Sequence, residues 1–353
     1  MKILHVDAGN EWRGGQRQLY YLSKGLSEEG IEQFALISND KLEQKLKSIG
    51  IITYKWKYRF EFHYGFFRYF SILRKIKPDV VHFHDSRSLS LSIFTKLPTI
   101  VTRRVDFELK SSLSKIKYKR TDIIVGVSKR INKILKKSGI DKTELIYDGI
   151  DPDELKTDSD KKTCRKKFSF GKPPVFINVA ALVDHKGHIY LLKALKILKD
   201  RGITPEVHIA GDGNLKEKIL NYKKEEKLEN VIFHGFVENI AEFLKAGDFF
   251  IITSHLEGLC SSIMDAMALK IPVIATRAGG IPELVGDTAL LAENKNSQSV
   301  ADKIIFALEN PEKMEELSEK AYERFLKNFT YKIMTQKYIK LYEKLINNKI
   351  YSI

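Results

Sequence analysis

Cysteine is scarce in this chain: only Cys164 and Cys260 occur in 353 residues. Two thiols so far apart make no disulfide framework and fit a reducing compartment. Long hydrophobic runs are missing too, since none approaches the ~18 consecutive apolar residues of a membrane-spanning helix. The apolar start MKILHV is broken at once by Asp7 and Asn10, so it reads as a first strand and neither a signal peptide nor an anchor. A cytoplasmic protein, or one peripheral on the inner face of a membrane, is therefore expected. No GxGxxG dinucleotide fingerprint and no recognised nucleic-acid motif occurs. Acidic residues are short only locally: residues 1–150 carry 29 Lys and Arg against 16 Asp and Glu, a balance of +13, whereas the remainder holds 31 against 29. A basic first half beside a nearly neutral second half implies an anionic partner for the first, whether a phosphorylated acceptor, an acidic membrane surface or nucleic acid.

What is present is a hydrophobic fraction of 43%, near the globular norm, in a chain long enough for two domains. Strand-like apolar runs alternate with helical patterns in two successive sets, which points to an α/β fold built twice on parallel sheets. The stretch that organises the second set is SHLEGLCSSIMDAMALKIPVIATRAGGIPE, residues 254–283. It opens at the end of the buried-strand run FFIITS and contains a second such run, IPVIAT. Ser261 and Ser262 are candidate N-caps for a short helix over about 262–270. A helix opening beside a loop at the end of a parallel strand presents unpaired N–H groups and a positive dipole to an anion such as a phosphate. Glu257 and Asp265 frame that helix, and ionised carboxylates accept paired hydrogen bonds from sugar hydroxyls.

This pattern resembles the family-4 glycosyltransferases, whose signature is a Glu, seven residues and a second Glu, followed by a strand and a glycine pair before Pro-Glu. The match falls on Glu257, Gly258, Leu259, Ala266, Met267, Ala268, Pro272, Val273, Gly279, Gly280, Pro282 and Glu283. Asp265 stands where the second Glu is usual, and Cys260 where Pro or Gly is common. The resemblance implies the GT-B architecture, two Rossmann-like domains facing across a cleft, and a nucleotide sugar bound through 257–265 with Gly258, Leu259, Cys260, Ser261 and Ser262 around it. It also implies that Glu257 holds a donor-sugar hydroxyl, Asp265 the ribose, and the backbone near Val237 the base. Lys186, at the start of a helix in HKGH, is placed to neutralise the leaving diphosphate. Relatives usually carry an arginine just after the preceding strand, where this chain reads Ala180-Ala181-Leu182. Arg13 or Arg103 is the expected substitute.

In the first half, Gly14 and Gly15 sit at the mouth of a helix, and the resemblance makes Gly15 a donor or acceptor contact, with Arg13 and Arg17 in reach of the same anion. TIVTRRVDF ends a strand at Arg103, Arg104 and Asp106, read as anion contacts or as a surface ion pair. No histidine stands near Arg104, where many relatives have one. His82 and His84 point the same way from a strand, but no third ligand has suitable spacing, so no metal is expected. Residues 54–64, YKWKYRFEFHY, alternate aromatic and polar side chains as a strand would. They run into an amphipathic basic helix over 65–77 whose surface either packs in the domain or meets a membrane or lipid-linked acceptor.

The resulting expectation is an N-terminal acceptor domain over 1–155, a linker over 156–173, a nucleotide-sugar domain over 174–330 and a final helix over 331–353 that packs back on the first. The activity implied is retaining hexosyl or heptosyl transfer, from a UDP-, ADP- or GDP-sugar used as substrate and without a cofactor or metal, to a hydroxyl of a glycan or lipid-linked acceptor in lipopolysaccharide or other envelope-polysaccharide synthesis. Glu257 and Lys186 are the expected catalytic pair. The alternatives are a nucleotide-sugar epimerase or a phosphorylase on the same fold, or a basic nucleic-acid-binding module.

Overall fold

The computed structural model describes residues 1–56, 62–172 and 174–350. They divide into two compact units, Met1–Ile150 with Thr330–Ile353, and Asp151–Phe329. The first unit holds seven strands, β1 (Lys2–Asp7), β2 (Glu32–Ile37), β3 (Ile52–Lys55), β4 (Val80–Phe83), β5 (Thr99–Arg103), β6 (Ile123–Gly126) and β7 (Thr143–Leu145), paired in parallel in the order β3-β2-β1-β4-β5-β6-β7. The second holds six, β8 (Val175–Val179), β9 (Glu206–Ala210), β10 (Val231–Gly235), β11 (Phe249–Ile252), β12 (Val273–Thr276) and β13 (Leu290–Ala292), in the order β10-β9-β8-β11-β12-β13. In both sheets the first strand lies beside the fourth, so the chain reverses its direction of travel at β1/β4 and at β8/β11. Loops leaving the carboxyl ends diverge there and open a crevice.

Helices cover both faces of a parallel sheet, so central strands bury every side chain. The strand segments VVHF and FFII do so at each position. In the second unit Phe176, Leu192, Leu195, Ile209, Ile251 and Ile304 join in one apolar core. Helix starts follow local chemistry: Ser128 Oγ accepts from Ile131 N at 3.3 Å, and Asn39 Oδ1 from Leu42 N at 2.8 Å, each satisfying an amide that the helix leaves unpaired.

The last helix, Tyr331–Ile350, is part of the first unit. Tyr331 donates to Glu28 at 2.8 Å, Tyr338 shares a hydrogen bond with Thr102 at 2.6 Å, and Tyr342 one with His82 at 2.7 Å. The helix approaches Gly14–Glu28 so closely that a Cβ on Gly25 would meet Thr335 Oγ1 at 2.1 Å. That close approach accounts for a glycine in mid-helix.

Two expectations are corrected. The polar stretch 156–173 is no free linker, because the helix Lys161–Phe168 folds onto the second unit. Asp160 caps it, Cys164 is fully buried, Arg165 donates to the Ala246 carbonyl at 3.0 Å, and Phe170 stacks on His208 at 3.7 Å. The helix docks through ion pairs to Asp248 and a buried thiol. The strand expected over 54–64 is corrected only at its end: β3 ends at Lys55, residues 57–61 lie outside the described residues, and a helix begins at Phe62. Among the described residues no helix is long and apolar enough to cross a membrane.

Candidate active site

In the second unit, two loops leaving β8 and β11 at the switch point are locked to one another. Gly187 has φ +66° and lies so close to the β11 loop that a Cβ would meet the Thr253 carbonyl oxygen at 2.1 Å. Thr253 Oγ1 donates to the Gly187 carbonyl at 3.0 Å, and His255 N to the His185 carbonyl at 2.8 Å. This clasp brings Lys186, from the turn Asp184–Lys186, into an ion pair with Glu257. Ser254 Oγ donates to the same Glu257 oxygen at 3.0 Å. The other end of Glu257 is held by the glycine pair. Gly280 N donates to its carbonyl at 3.0 Å, and Gly279, at φ +52°, passes so near that a Cβ would sit 1.8 Å from that oxygen. The pattern Glu, helix, strand, Gly-Gly therefore has a mechanical meaning: only glycine at 279 lets the backbone reach the residue that carries the carboxylate.

Glu257 is buried. The helix that follows is Ser261–Ala268, and its N-cap is Cys260, in the left-handed region at φ +70° with no side-chain cap bond. Ser261 and Ser262 thus stand in the first turn and do not cap it. Cys260 is enclosed, and burial followed by the Glu257 charge pushes its thiol up to about 12. Gly258, Leu259 and Asp265 are buried along the same stretch. Gly211, at φ +153°, and Gly213 pack against Ala180-Ala181-Leu182, where a Cβ would meet the Ala180 and Leu182 carbonyl oxygens at 1.9 and 2.4 Å. The loop without the usual arginine is thereby pinned by backbone contacts. Val237 is half-buried just beyond β10.

In the first unit, the switch point gathers charge instead of glycine. Asp7 closes β1, accepts from Gln16 Nε2 at 3.0 Å and from Gly9 N at 2.9 Å, and is raised to about 6 by burial and then by neighbouring Asp85. Gly15 lies in the first turn of Gly14–Glu28 with open space where its Cβ would be. Arg13 pairs with Glu11, and Arg17 donates to Tyr21 at 2.9 Å. Arg103 is not presented to a ligand: it is buried and donates to Tyr118 at 3.1 Å and to the Phe107 carbonyl. Arg104 grips Asp148 at 3.0 and 3.2 Å, while Asp106 pairs with Arg130 at 3.5 Å.

The histidine pair also needs correcting. The β1/β4 register sets His5 opposite His82, and the ring nitrogens of His5, His82 and His84 lie within 4.8 Å of one another, so the neighbouring strand supplies the third imidazole that sequence spacing lacked. Gln33 Oε1 accepts from His5 Nε2 at 3.1 Å, so His5 Nδ1 accepts from His84 Nε2 at 3.0 Å. His82 is engaged by Tyr342 and Thr102, both at 2.7 Å. Burial holds His5 down at about 4 and depresses the other two, so all three rings are neutral near pH 7. As arranged, they form a hydrogen-bonded network between the sheet and the last helix.

The family description "Glycosyltransferase Family 4" matches residues 12–154, and "Glycosyl transferases group 1" matches residues 160–324. Each description covers under half of the chain, and the two together make it similar to the family-4 glycosyltransferases over residues 12–324. An uncharacterised glycosyltransferase of Methanocaldococcus jannaschii is 31% identical over 229 residues, 64% of this chain and 60% of that relative. The O-antigen biosynthesis glycosyltransferase WclY of Escherichia coli is 30% identical over 206 residues, 58% of this chain and 56% of WclY. The matches thus span under two thirds of these relatives. The crystal structure of Anabaena HepE in complex with UDP-glucose superimposes with a TM-score of 0.85 at 19% identity, over 100% of both chains, a likeness of fold.

In the second unit, Lys186, Glu257, Gly258, Leu259, Cys260, Ser261, Ser262 and Asp265 come together around one switch point. Gly15, Arg13, Arg17, Arg103, Arg104 and Asp106 belong to the other unit and serve several separate contacts there. Sequence reasoning missed Ser254 and Asp148. Ser254 was visible only as the end of a strand, and Asp148 lies 44 residues from its arginine with no motif to link them.

Proposed function

We propose that the chain transfers a hexosyl or heptosyl group from a nucleotide sugar to a hydroxyl of a glycan or lipid-linked acceptor, with retention, in envelope-polysaccharide synthesis. The single observation that carries this reading is Glu257 held at both ends, its carbonyl by Gly279-Gly280 and its carboxylate by Lys186 and Ser254. A carboxylate so fixed, beside a cation and an uncapped helix start, suits a ligand that is hydroxyl-rich at one end and doubly anionic at the other. The UDP-glucose held by HepE and the O-antigen role in WclY's name support that donor and product class.

In the proposed step the bond from anomeric carbon to phosphate oxygen breaks, the acceptor oxygen bonds to the same face of that carbon, and the acceptor proton passes to the departing phosphate oxygen. No side chain acts as nucleophile. Lys186 and the N–H groups at Ser261 and Ser262 stabilise charge growing on the diphosphate, Glu257 orients a donor-sugar hydroxyl, and Asp265 binds the ribose. The base lies along the backbone near Val237, and Gly15 with Arg13 and Arg17 bounds the anionic side of the acceptor or donor. On this reading no metal or cofactor takes part, and two buried free thiols fit action in the cytoplasm.

The test is Glu257→Gln, which keeps shape and neutralises charge. Turnover of a UDP-, ADP- or GDP-sugar with extracted envelope glycan should fall roughly 10²-fold or more, while the variant still unfolds in one cooperative transition, at a lower temperature because the Lys186 pair is lost. Undiminished turnover in the folded variant contradicts the assignment.

A further inference from the structure

Exposed apolar side chains are concentrated on one part of the first unit. Phe67 on the helix Phe62–Ile76 is 71% exposed, Phe94 in the 3-10 turn Ser88–Phe94 is 52%, and Leu113 and Ile116 on the helix Ser112–Arg120 are 71% and 47%. These three elements touch in succession. Phe66 stands edge-to-face on Phe94 at 5.0 Å, Tyr69 shares a hydrogen bond with Thr95 at 2.6 Å, and the turn packs against the Ser112–Arg120 helix. The apolar groups therefore belong to one continuous face. On the last of these helices, Leu113, Ile116, Lys117 and Arg120 recur at i, i+3, i+4 and i+7, so aliphatic and cationic side chains share one stripe. Its opposite side anchors it, with Tyr118 buried and accepting from Arg103.

Charge distinguishes among the surfaces that could cover this face. Residues 66–120 carry 13 Lys and Arg against four acids. Three of those acids are committed elsewhere: Asp79 accepts from Lys2 N, Asp85 from Ala8 and Ser88 amides, and Asp106 pairs with Arg130. Lys96, Lys110, Lys119 and Arg120 are all exposed. A second copy of this chain, itself at +15, meets such a face with like charge. Nucleic acid offers phosphates but nothing that takes up Leu113 and Ile116. An anionic bilayer offers both partners at once, since aliphatic and aromatic groups enter the acyl boundary while lysines and arginines meet the headgroups.

We infer that the face formed by Phe62–Ile76, Ser88–Phe94 and Ser112–Arg120 docks this protein on an anionic lipid bilayer. The inference does not rest on the transfer reading, since its residues belong to the first unit and the Glu257 site to the second. It places a lipid-linked acceptor within the protein's two-dimensional reach.

The experiment is co-sedimentation of the full chain with vesicles of phosphatidylcholine alone and of phosphatidylcholine with about one third phosphatidylglycerol. Binding should appear only with the anionic lipid and weaken with salt. Leu113→Glu with Ile116→Glu should lower partitioning about tenfold or more, and Lys119→Glu with Arg120→Glu about fivefold for each cation. Leu326→Glu, at an exposed position on the second unit, should leave it unchanged. Each variant is checked for native melting and for unchanged UDP binding, so failure here stays separate from failure of the transfer reading. The assignment is overturned if anionic vesicles are ignored, or if the Leu113/Ile116 double variant binds them like the parent. It is overturned equally if the double variant instead abolishes a lipid-free dimer or binding to duplex DNA.

Discussion

The two sheets of this chain reverse their strand order at equivalent places, yet furnish those places by opposite means. At β8/β11 the backbone does the holding: Gly187, Gly211 and Gly279 adopt positive φ, each with a carbonyl oxygen where a Cβ would be. At β1/β4 side chains do it: Asp7 with Gln16, Arg104 with Asp148, and three neutral histidines bonded to one another and to their neighbours. A backbone lattice fixes geometry without regard to pH. A buried charge network makes the first unit's stability depend on protonation and on every member's presence.

The sharpest way to break the contrast is Asp148→Ala. It strands the Arg104 guanidinium, whose pair with Asp148 is nearly enclosed, and should cost about 4 kcal/mol, read as a shift of the urea midpoint. Next comes Gly279→Ala, which combines φ +52° with an impossible contact to the Glu257 carbonyl. We expect a loss of roughly 3 kcal/mol together with loss of sugar-nucleotide binding, whereas Asp148→Ala in its folded fraction should keep that binding.

Asp7→Asn is smaller and of opposite sign. Burial raises the Asp7 carboxyl to about 6 in the folded protein, from an ordinary value of 3.8. The folded state therefore holds the proton more tightly, and stability falls as pH rises from about 4 through 6, then levels off. The Asn variant should gain up to roughly 2 kcal/mol at pH 7.5 and show no gain at pH 4, as measured by melting at both values. The smallest stability effect belongs to Gly15→Ala. Open space surrounds that Cβ, so stability should stay within about 0.5 kcal/mol, and a fall in turnover would mark approach of a ligand to this helix.

The same contrast explains what the sequence made legible. Glu257, Gly279 and Gly280 lie within one stretch because a loop, a helix and a strand are enough to bring them together, so their spacing carries the site. His5, His82 and Tyr342 meet only through strand register and the return of the last helix, 260 residues after His82, and local pattern holds no trace of that. Cys260 shows a different limit. Two serines beside it looked like better caps, but the tight turn after Leu259 puts the cysteine itself at the cap position at φ +70°. In the polar 156–173 segment the docking of the helix was not legible, because composition records charge and not the carbonyls and carboxylates that charge will meet.

Hydrogen–deuterium exchange with and without UDP-glucose tests the central claim most directly. The account predicts slowed exchange at 254–263 and 279–284, around Glu257 and the helix that follows it. Protection confined to residues 1–150, with the Glu257 loop unchanged at saturating nucleotide sugar, would contradict it.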